Sequence, residues 1–398
     1  MGGFTPAVRT DPTLVSGMRD PGTTVGQRII ADVKDQIVMV LPSATPLTYL
    51  TKRFRKRQVT QYSYDWLEKD EYPRIADVSG AHAPDVTTIN VAAGHGARIP
   101  RNAAMLNRRT REVFLVTAIS TDALTVVRGI GGVQEAMNDG DKVEFLNTAF
   151  EDGTGRGDLK SIKEDRQFNY TQIIRTAWGY TGRQKNTDMY GGKDPKTERM
   201  WQAIEHAKSI EHMLLFGRRH TRTGSGGKLQ TFSAGAEASI KTNVWDLGGN
   251  TPSVDQIVEV LEEFMRHGRG GYLGGSKTKW GFFAPRWCSL FQKLAHAHIQ
   301  YRPPDTSLGI RIGRLDTSHG TLMIVEDPIL QGVEHGGWGL ILDLNHAYYV
   351  YHQGRDTRLY DNRQANDIDG TEEEYLTDCG AQIELEFAHG IWKGLPGF

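Results

Sequence analysis

The chain has 398 residues, 38% of them apolar and 24% charged, a composition that excludes global disorder and gives room for two or three domains. Net charge is −1, but residues 1–60 carry nine Lys or Arg against four Asp or Glu, and residues 366–398 carry one against eight. Two cysteines exclude a disulfide framework and a four-cysteine zinc site and fit a reducing compartment; no apolar run approaches a membrane span, and the first residues lack a signal-peptide layout, so a soluble product is expected.

In chain order, the first 25 or so residues are rich in Gly, Pro and Thr and read as an extended arm or a tail. A short apolar pattern runs from Gly26 to Val40 and is broken at Pro42 and Pro46. The densest basic cluster follows, Lys52, Arg53, Arg55, Lys56 and Arg57, and then "QVTQYSYDW", which alternates like a strand. Two readings of the cluster stand side by side: nucleic-acid contact, or a subunit interface or solvated segment. Residues 85–148 hold short β-rich runs ("TTINV", "EVFLVTAI", "ALTVV", "DKVEFL") separated by turn residues, which predicts a small closed β-module. "EDGTGRGD" reads as its exit linker. Asn169 to Gly182 reads as a long strand able to pair with the one near Tyr62 to Trp66, making the module an insertion in an extended hairpin.

Next comes a helix opened by Asp194 and Pro195, with Met200, Ile204, Ala207, Ile210 and Leu214 as its apolar stripe and Gly217 at its end. A second helix starts at Thr251 and Pro252, faces Val254, Ile257, Val258, Leu261 and Phe264 inward, and closes at Gly268. "KWGFFAP", "TLMIVEDPIL" and "GWGLILDL" read as strands around the helix "RWCSLFQKLAHAH", so the C-terminal half is predicted to be mixed α/β.

Chemistry-bearing patterns fail one by one. In "VVRGIGGV" the glycines Gly129, Gly131 and Gly132 follow Arg128, but their spacing is wrong for a dinucleotide loop and no crossover helix follows. The expected role is a corner where a β-hairpin turns, with Arg128 as a packing or interface residue. "GSGGKL" lacks the first glycine and the hydroxyl residue of a phosphate loop and reads as a flexible loop. The thirteen histidines show no metal-ligand spacing, and the five carboxylates of "NDIDGTEEE" miss a calcium loop, leaving a solvated acidic loop. Cys288, beside Trp287, is read as core. No catalytic, cofactor or metal set emerges.

The order of elements resembles the major capsid proteins of tailed bacteriophages with the Hong Kong 97 fold, within the subgroup that carries a small β-rich insertion. "REVFLVTAISTDALTVVRGIGG", "NDGDKVEFLNTAFEDGTG", "NYTQIIRTAWGYTGRQ", "ERMWQAIEHAKSIEHMLLFGRR", "IVEDPIL" and "WGLILDLNHAYYVY" carry the resemblance over roughly residues 25–398. It implies an α+β fold. Residues 1–60 would be an N-terminal arm, 61–185 an extended loop containing the module at 85–148, and 186–234 a peripheral domain with its spine helix at 194–216. Residues 235–345 would be the axial domain, and 346–398 a return to the peripheral domain. It implies a non-enzymatic subunit without cofactors, assembling as hexamers and pentamers into an icosahedral virion shell around DNA held by weak, nonspecific contact. A portal, a separate scaffolding protein and a decoration protein are the other partners it implies, with no membrane. Other multi-copy phage parts (tail tube, decoration protein) and a nucleotide-dependent enzyme are the competing readings. The opposite charges of the two ends suggest contacts within one subunit or between two, and for contacts between subunits Lys52, Arg53, Arg55, Lys56, Arg57 and Arg128 are the basic candidates and Glu372, Glu373 and Glu374 the acidic ones. Reversing Lys52, Arg53 and Arg55 to Glu is expected to impair shell formation without unfolding the monomer.

Overall fold

The computed structural model describes residues 45–69, 72–187, 194–266, 277–295, 301–307, 310–317 and 319–396. The Gly26–Val40 pattern, most of the expected N-terminal arm and Gly268 lie outside them. The chain divides into two compact units, residues 65–168 and the remainder.

The larger unit begins with α1 (Pro46–Phe54) and β1 (Lys56–Val59). Pro46 sits at the helix start, where its missing N–H costs nothing. "QVTQYSYDW" is therefore two strands, β1 and β2 (Ser63–Glu68), parted by a bend at residues 60–62.

The smaller unit contains β3 (Ile75–Asp77), β4 (Thr88–Asn90), β5 (Ala103–Asn107), β6 (Val113–Ser120), β7 (Ala123–Ile130) and β8 (Lys142–Thr148), ordered β3-β8-β5-β6-β7-β4 in one sheet. Its two edges meet. Val78 bridges Val91, Ser79 N–H donates to the Asn90 carbonyl at 2.8 Å, and Ala92 N–H donates to the Asp77 carbonyl at 2.8 Å. Closing the sheet removes its open edges and encloses Met105, Phe114, Val116, Leu124 and Val143 in a core separate from that of the larger unit. Strands β3 and β5 carry no long β-branched run, and the sequence pattern passes over both.

The chain returns through β9 (Asp165–Tyr170), which pairs with β2, and β10 (Gln172–Thr181). The long strand expected from Asn169 is thus divided at Thr171: its upstream part pairs with β2, and β10 pairs elsewhere. After α2 (Gly182–Lys185) comes α3 (Asp194–Phe216), the longest helix among the described residues. Its buried positions are His206, Ile210, Glu211, Met213, Leu214 and Leu215, whereas Met200 is exposed. Gly217 ends it where a Cβ would lie 2.4 Å from the Ser233 carbonyl.

Beyond α3 lie β11 (His220–Thr223), β12 (Leu229–Phe232), α4 (Ala236–Ser239), β13 (Val244–Asp246) and α5 (Val254–Arg266). Ser253, one residue beyond the expected start of α5, caps it reciprocally: its Oγ accepts from Gln256 N–H at 3.3 Å, and Gln256 Oε1 accepts from Ser253 N–H at 3.0 Å. Next are β14 (Thr278–Phe283), α6 (Pro285–Ala295), β15 (Tyr301–Ser307), β16 (Ile310–Asp316), β17 (Thr321–Glu326), α7 (Gly332–His335) and β18 (Gly339–Leu342). The chain finishes with β19 (Ala347–His352), β20 (Arg358–Tyr360), β21 (Gly370–Ile383) and β22 (Gly390–Lys393).

Two sheets organise this unit. One runs β1-β19-β21-β10 with β20 also on β21, and α3 packs against β10 and β21. The other runs β13-β22-β18-β14-β17-β16-β15. The C-terminal segment accordingly divides between them: β19 to β21 join the first sheet and β22 the second. Trp245, Phe283, Trp287, Phe291 and Trp392 form one aromatic cluster, with Trp287 and Trp392 ring centroids 5.1 Å apart. Gly281 and Gly339 make room for it, since a Cβ at either would fall within 2.3 Å of the Phe283 ring.

Charge chemistry also enters the core of the larger unit at Glu211. Glu211 is fully buried, and its carboxylate accepts from the N–H groups of Leu47 at 3.0 Å and Thr48 at 3.2 Å, closing the first turn of α1. Burial and the neighbouring Asp327 push Glu211 well above the usual carboxylate range, and burial pushes Asp327 up to about 6.

Candidate assembly interface

The basic segment spans the end of α1 and the start of β1. Strand β1 lies parallel to β19, with Lys56 opposite Tyr349 and Gln58 opposite Tyr351, so the cations are laid over tyrosines. Lys52 Nζ stands 4.7 Å from the Tyr349 ring centre and donates to Thr357 Oγ1 at 3.1 Å. Burial lowers its pKa, opposed by the charge of Asp356. Lys56 Nζ stands 4.6 Å from the Tyr351 ring centre and pairs with Asp356. Burial alone would raise Asp356, yet the hydrogen bond from Lys56 holds it below the usual range. Arg55 donates to Asn345 Oδ1 at 3.3 Å, with its guanidinium 5.9 Å from the Tyr348 ring centre, and Arg57 donates to Gln382. Among the described residues exposed Arg53 reaches only Tyr49 Oη, at 3.3 Å on its own helix.

The acidic candidates lie on β21. Consecutive strand residues face opposite ways, so Glu373 and Glu374 enter different layers. Glu373, 1% exposed, takes a bidentate pair from Arg199 of α3, with Arg199 Nε at 2.6 Å, and accepts from Tyr180 Oη at 3.3 Å. The Arg199 guanidinium holds this carboxyl below the usual range against the effect of burial. Glu374 is met by Arg175, with Nε at 2.9 Å, and by Arg363 at 3.1 Å. Glu372 alone of the three is exposed.

Arg128 turns away from solvent. Its guanidinium grips Glu112 through Nε at 2.9 Å and Nη2 at 2.6 Å, with the two side chains 2% and 0% exposed. It also donates to the carbonyls of Ala83 and Glu135. Gly129, Gly131 and Gly132 adopt φ of +69°, +88° and +88°, which an L side chain resists. They let β7 leave the sheet. The chain after them runs to β8, which pairs with β3 and β5, so this corner is an exit from β7 and not a hairpin turn.

Among the described residues the basic segment and the two buried glutamates have different partners. Lys52 to Arg57 meet residues 345–357 and Gln382, whereas Glu373 and Glu374 meet Arg175, Arg199 and Arg363. Sequence reasoning missed those three arginines and Asp356; Arg175 is a lone charge inside a β-rich run, a signal that needs strand register to interpret. Lys52 is spent on Tyr349 and Thr357, so the triple reversal including it would disturb the subunit itself. Among the described residues no three His, Cys, Asp or Glu side chains are grouped to hold a metal, and no helix is long and apolar enough to cross a membrane. Burial pushes the Cys288 and Cys379 thiols up to about 12, so both are protonated at neutral pH.

A long helix packed on one sheet, with a second mixed sheet, is a capsid fold of the Hong Kong 97 type. Residues 15–396 match the family of SU10 major capsid proteins, and the chain belongs to that family. It is a major capsid protein of a tailed-phage icosahedral head, a structural and self-assembling virion component and not an enzyme. The major capsid protein of Pseudomonas phage PaMx41 is 22% identical over 324 residues, 79% of this chain and 77% of its own. The capsid of an empty GTA particle superposes with a TM-score of 0.50 at 9% identity, over 96% of this chain and 100% of its own. The SrpI encapsulin of Synechococcus elongatus gives 0.48 at 9% identity, over 96% and 97%.

Proposed function

We propose that the subunit assembles as hexamers and pentamers into a shell around packaged double-stranded DNA, with a portal and a separate scaffolding protein as partners. The larger unit supplies the arm, peripheral and axial parts. Residues 61–185 form the extended loop, and the closed six-stranded sheet is a module inserted in it. The observation that carries this reading is the paired strands β2 and β9, through which the chain leaves the larger unit and returns after building a self-contained core. Arg53 and Glu372, exposed members of the two charge groups that meet no opposite charge among the described residues, are the side chains best placed to meet a neighbouring copy. Negative-stain electron microscopy of the purified protein tests the proposal: closed shells built of hexamers and pentamers are expected. A monodisperse monomer that binds nucleotide would overturn it.

A further inference from the structure

Between Met213 and Ala236 the chain has no acidic residue, while Arg218, Arg219, Arg222 and Lys228 supply four cations. The structure folds this stretch into the hairpin β11–β12, paired from His220 with Phe232 to Thr223 with Leu229. All of β11 and the first half of β12 are exposed. Near its base the Thr231 hydroxyl donates to the Thr171 carbonyl, and Arg218 pairs with Glu237 at 2.9 Å.

The pleat sorts the side chains. His220 and Arg222 share one face with Gln230 and Phe232 across the ladder; Thr221, Thr223, Leu229 and Thr231 occupy the other. Arg222 donates to Gln230 Oε1 at 2.8 Å and lies 5.7 Å from the Phe232 ring centre, with His220 6.2 Å from the same ring. Its guanidinium is therefore held near an aromatic ring, with donors left over for an anion. At the tip, Gly224 N–H closes the turn onto the Lys228 carbonyl at 2.8 Å, and Gly226 and Gly227 have nothing within 4 Å of a Cβ position. A ligand's backbone can approach this tip closely, beside Lys228. Neither Arg222 nor Lys228 meets a carboxylate among the described residues.

We propose that this hairpin is a contact for the phosphate backbone of double-stranded DNA, independent of base sequence. The inference rests on the shell enclosing DNA, and it moves the nucleic-acid contact from Lys52–Arg57, where the cations other than Arg53 are engaged by tyrosines, Asp356, Asn345 or Gln382, to β11–β12. Unoffset cations on an exposed ribbon concentrate a polyanion and release its counterions. A protein interface would need an apolar centre, and the outward hairpin offers only Leu229, 58% exposed, as a large apolar side chain.

The test uses unassembled full-length subunit and a roughly 20-base-pair duplex, about two helical turns, with affinity read by fluorescence anisotropy across a salt series. The double variant Arg222→Gln with Lys228→Gln should lower the slope of log affinity against log salt by roughly 1.8, about 0.9 for each phosphate that is no longer neutralised. The weakening should be equal for two duplexes of unrelated sequence, and Arg53→Gln should leave the slope unchanged. In assembled particles, Lys228 should be protected from an amine-modifying reagent when the shell is filled and reactive once it is emptied. An unchanged slope, or equal reactivity in filled and emptied shells, overturns the proposal. Variants that keep duplex affinity but fail to form shells overturn it in favour of contact with a neighbouring subunit. The duplex result is read without shells, so failure of the wild-type protein to assemble would count against the shell and leave the hairpin decided by its own data.

Discussion

Replacing Arg128 with Met should cost the small β-unit more than any surface change of the same size. The substitution keeps an unbranched side chain but removes the guanidinium from a site where it is 2% exposed. Glu112, itself fully buried, would retain only the N–H groups of Glu135 at 3.2 Å and Gly129 at 3.4 Å. Breaking one side of a buried ion pair typically costs about 3–5 kcal/mol, because the remaining charge is left in a medium that solvates it poorly. The carbonyls of Ala83 and Glu135 would lose their donor as well. For a unit of roughly 100 residues each kcal/mol is worth about 4 °C or more, so its melting transition should fall by at least about 12 °C. Native-state hydrogen exchange at Phe114 and Val126, in strands that enclose this core, reads the opening free energy of this unit separately from the rest of the chain. Adding Glu112→Leu to Arg128→Met removes the stranded charge and should recover stability relative to the single variant. A loss below about 1 kcal/mol in the single variant, the range of exposed pairs, would refute the argument that the pair is buried and structural.

Three further outcomes follow from the larger unit. Glu211 and Asp327 are both raised in the folded state, so their contribution is complete below the unfolded carboxylate value near about 4 and is lost as pH rises through the folded values, about 6 for Asp327. Urea midpoints should therefore decline as pH rises across that window, and Glu211→Gln should flatten the decline; a wild-type profile already flat there would contradict the pairing. Lys52→Glu places a carboxylate beside Asp356 and should lower the melting temperature, whereas Arg53→Glu should stay within about 0.5 kcal/mol of wild type and alter only shell yield by electron microscopy. Trp392→Ala opens the aromatic cluster of Trp245, Phe283 and Trp287 and should cost about 3–5 kcal/mol by chemical denaturation; a cost under about 1 kcal/mol would mean the cluster collapses freely.

Elements with their own periodicity were legible in the sequence. The helix from Asp194, the strand "KWGFFAP" and the β-rich runs of the small unit carry enough local pattern to be located from composition and turns alone. Pairing was not legible. Nothing local in "NYTQIIRTAWGYTG" says that Ala177 lies opposite Glu374 and Trp178 opposite Glu373, so nothing local says that Arg175 will neutralise one of two adjacent glutamates. The stripe on α3 shows the same limit. Met200 fits the apolar period and is exposed, while His206 and Glu211 break it and are buried, each held by a partner distant in sequence: His206 Nε2 lies 2.7 Å from Thr377 Oγ1, and Glu211 meets α1. The hairpin β11–β12 is not legible locally, because its strands are four residues long and the glycines between them read as a loop.

The asymmetry of charge between the chain's ends invites the idea that opposite termini attract, but geometry assigns the charges otherwise. A carboxylate with 1% exposure, such as Glu373, is not available to a neighbour: exposing it would break its pair with Arg199, and retaining that pair saturates it. The same holds for Arg128 with Glu112. Each of these pairs gives the subunit a defined shape before any neighbour arrives, which a closed shell needs because its contacts must meet at fixed angles. What remains for recognition is the charge left exposed once those pairs are made. Arg53 on α1, Glu372 on β21 and the cations of the hairpin are such groups, and they lie on three different elements. Assembly variants should therefore cluster at those positions, while variants at the saturated pairs should act through the stability of the subunit and weaken every interface together.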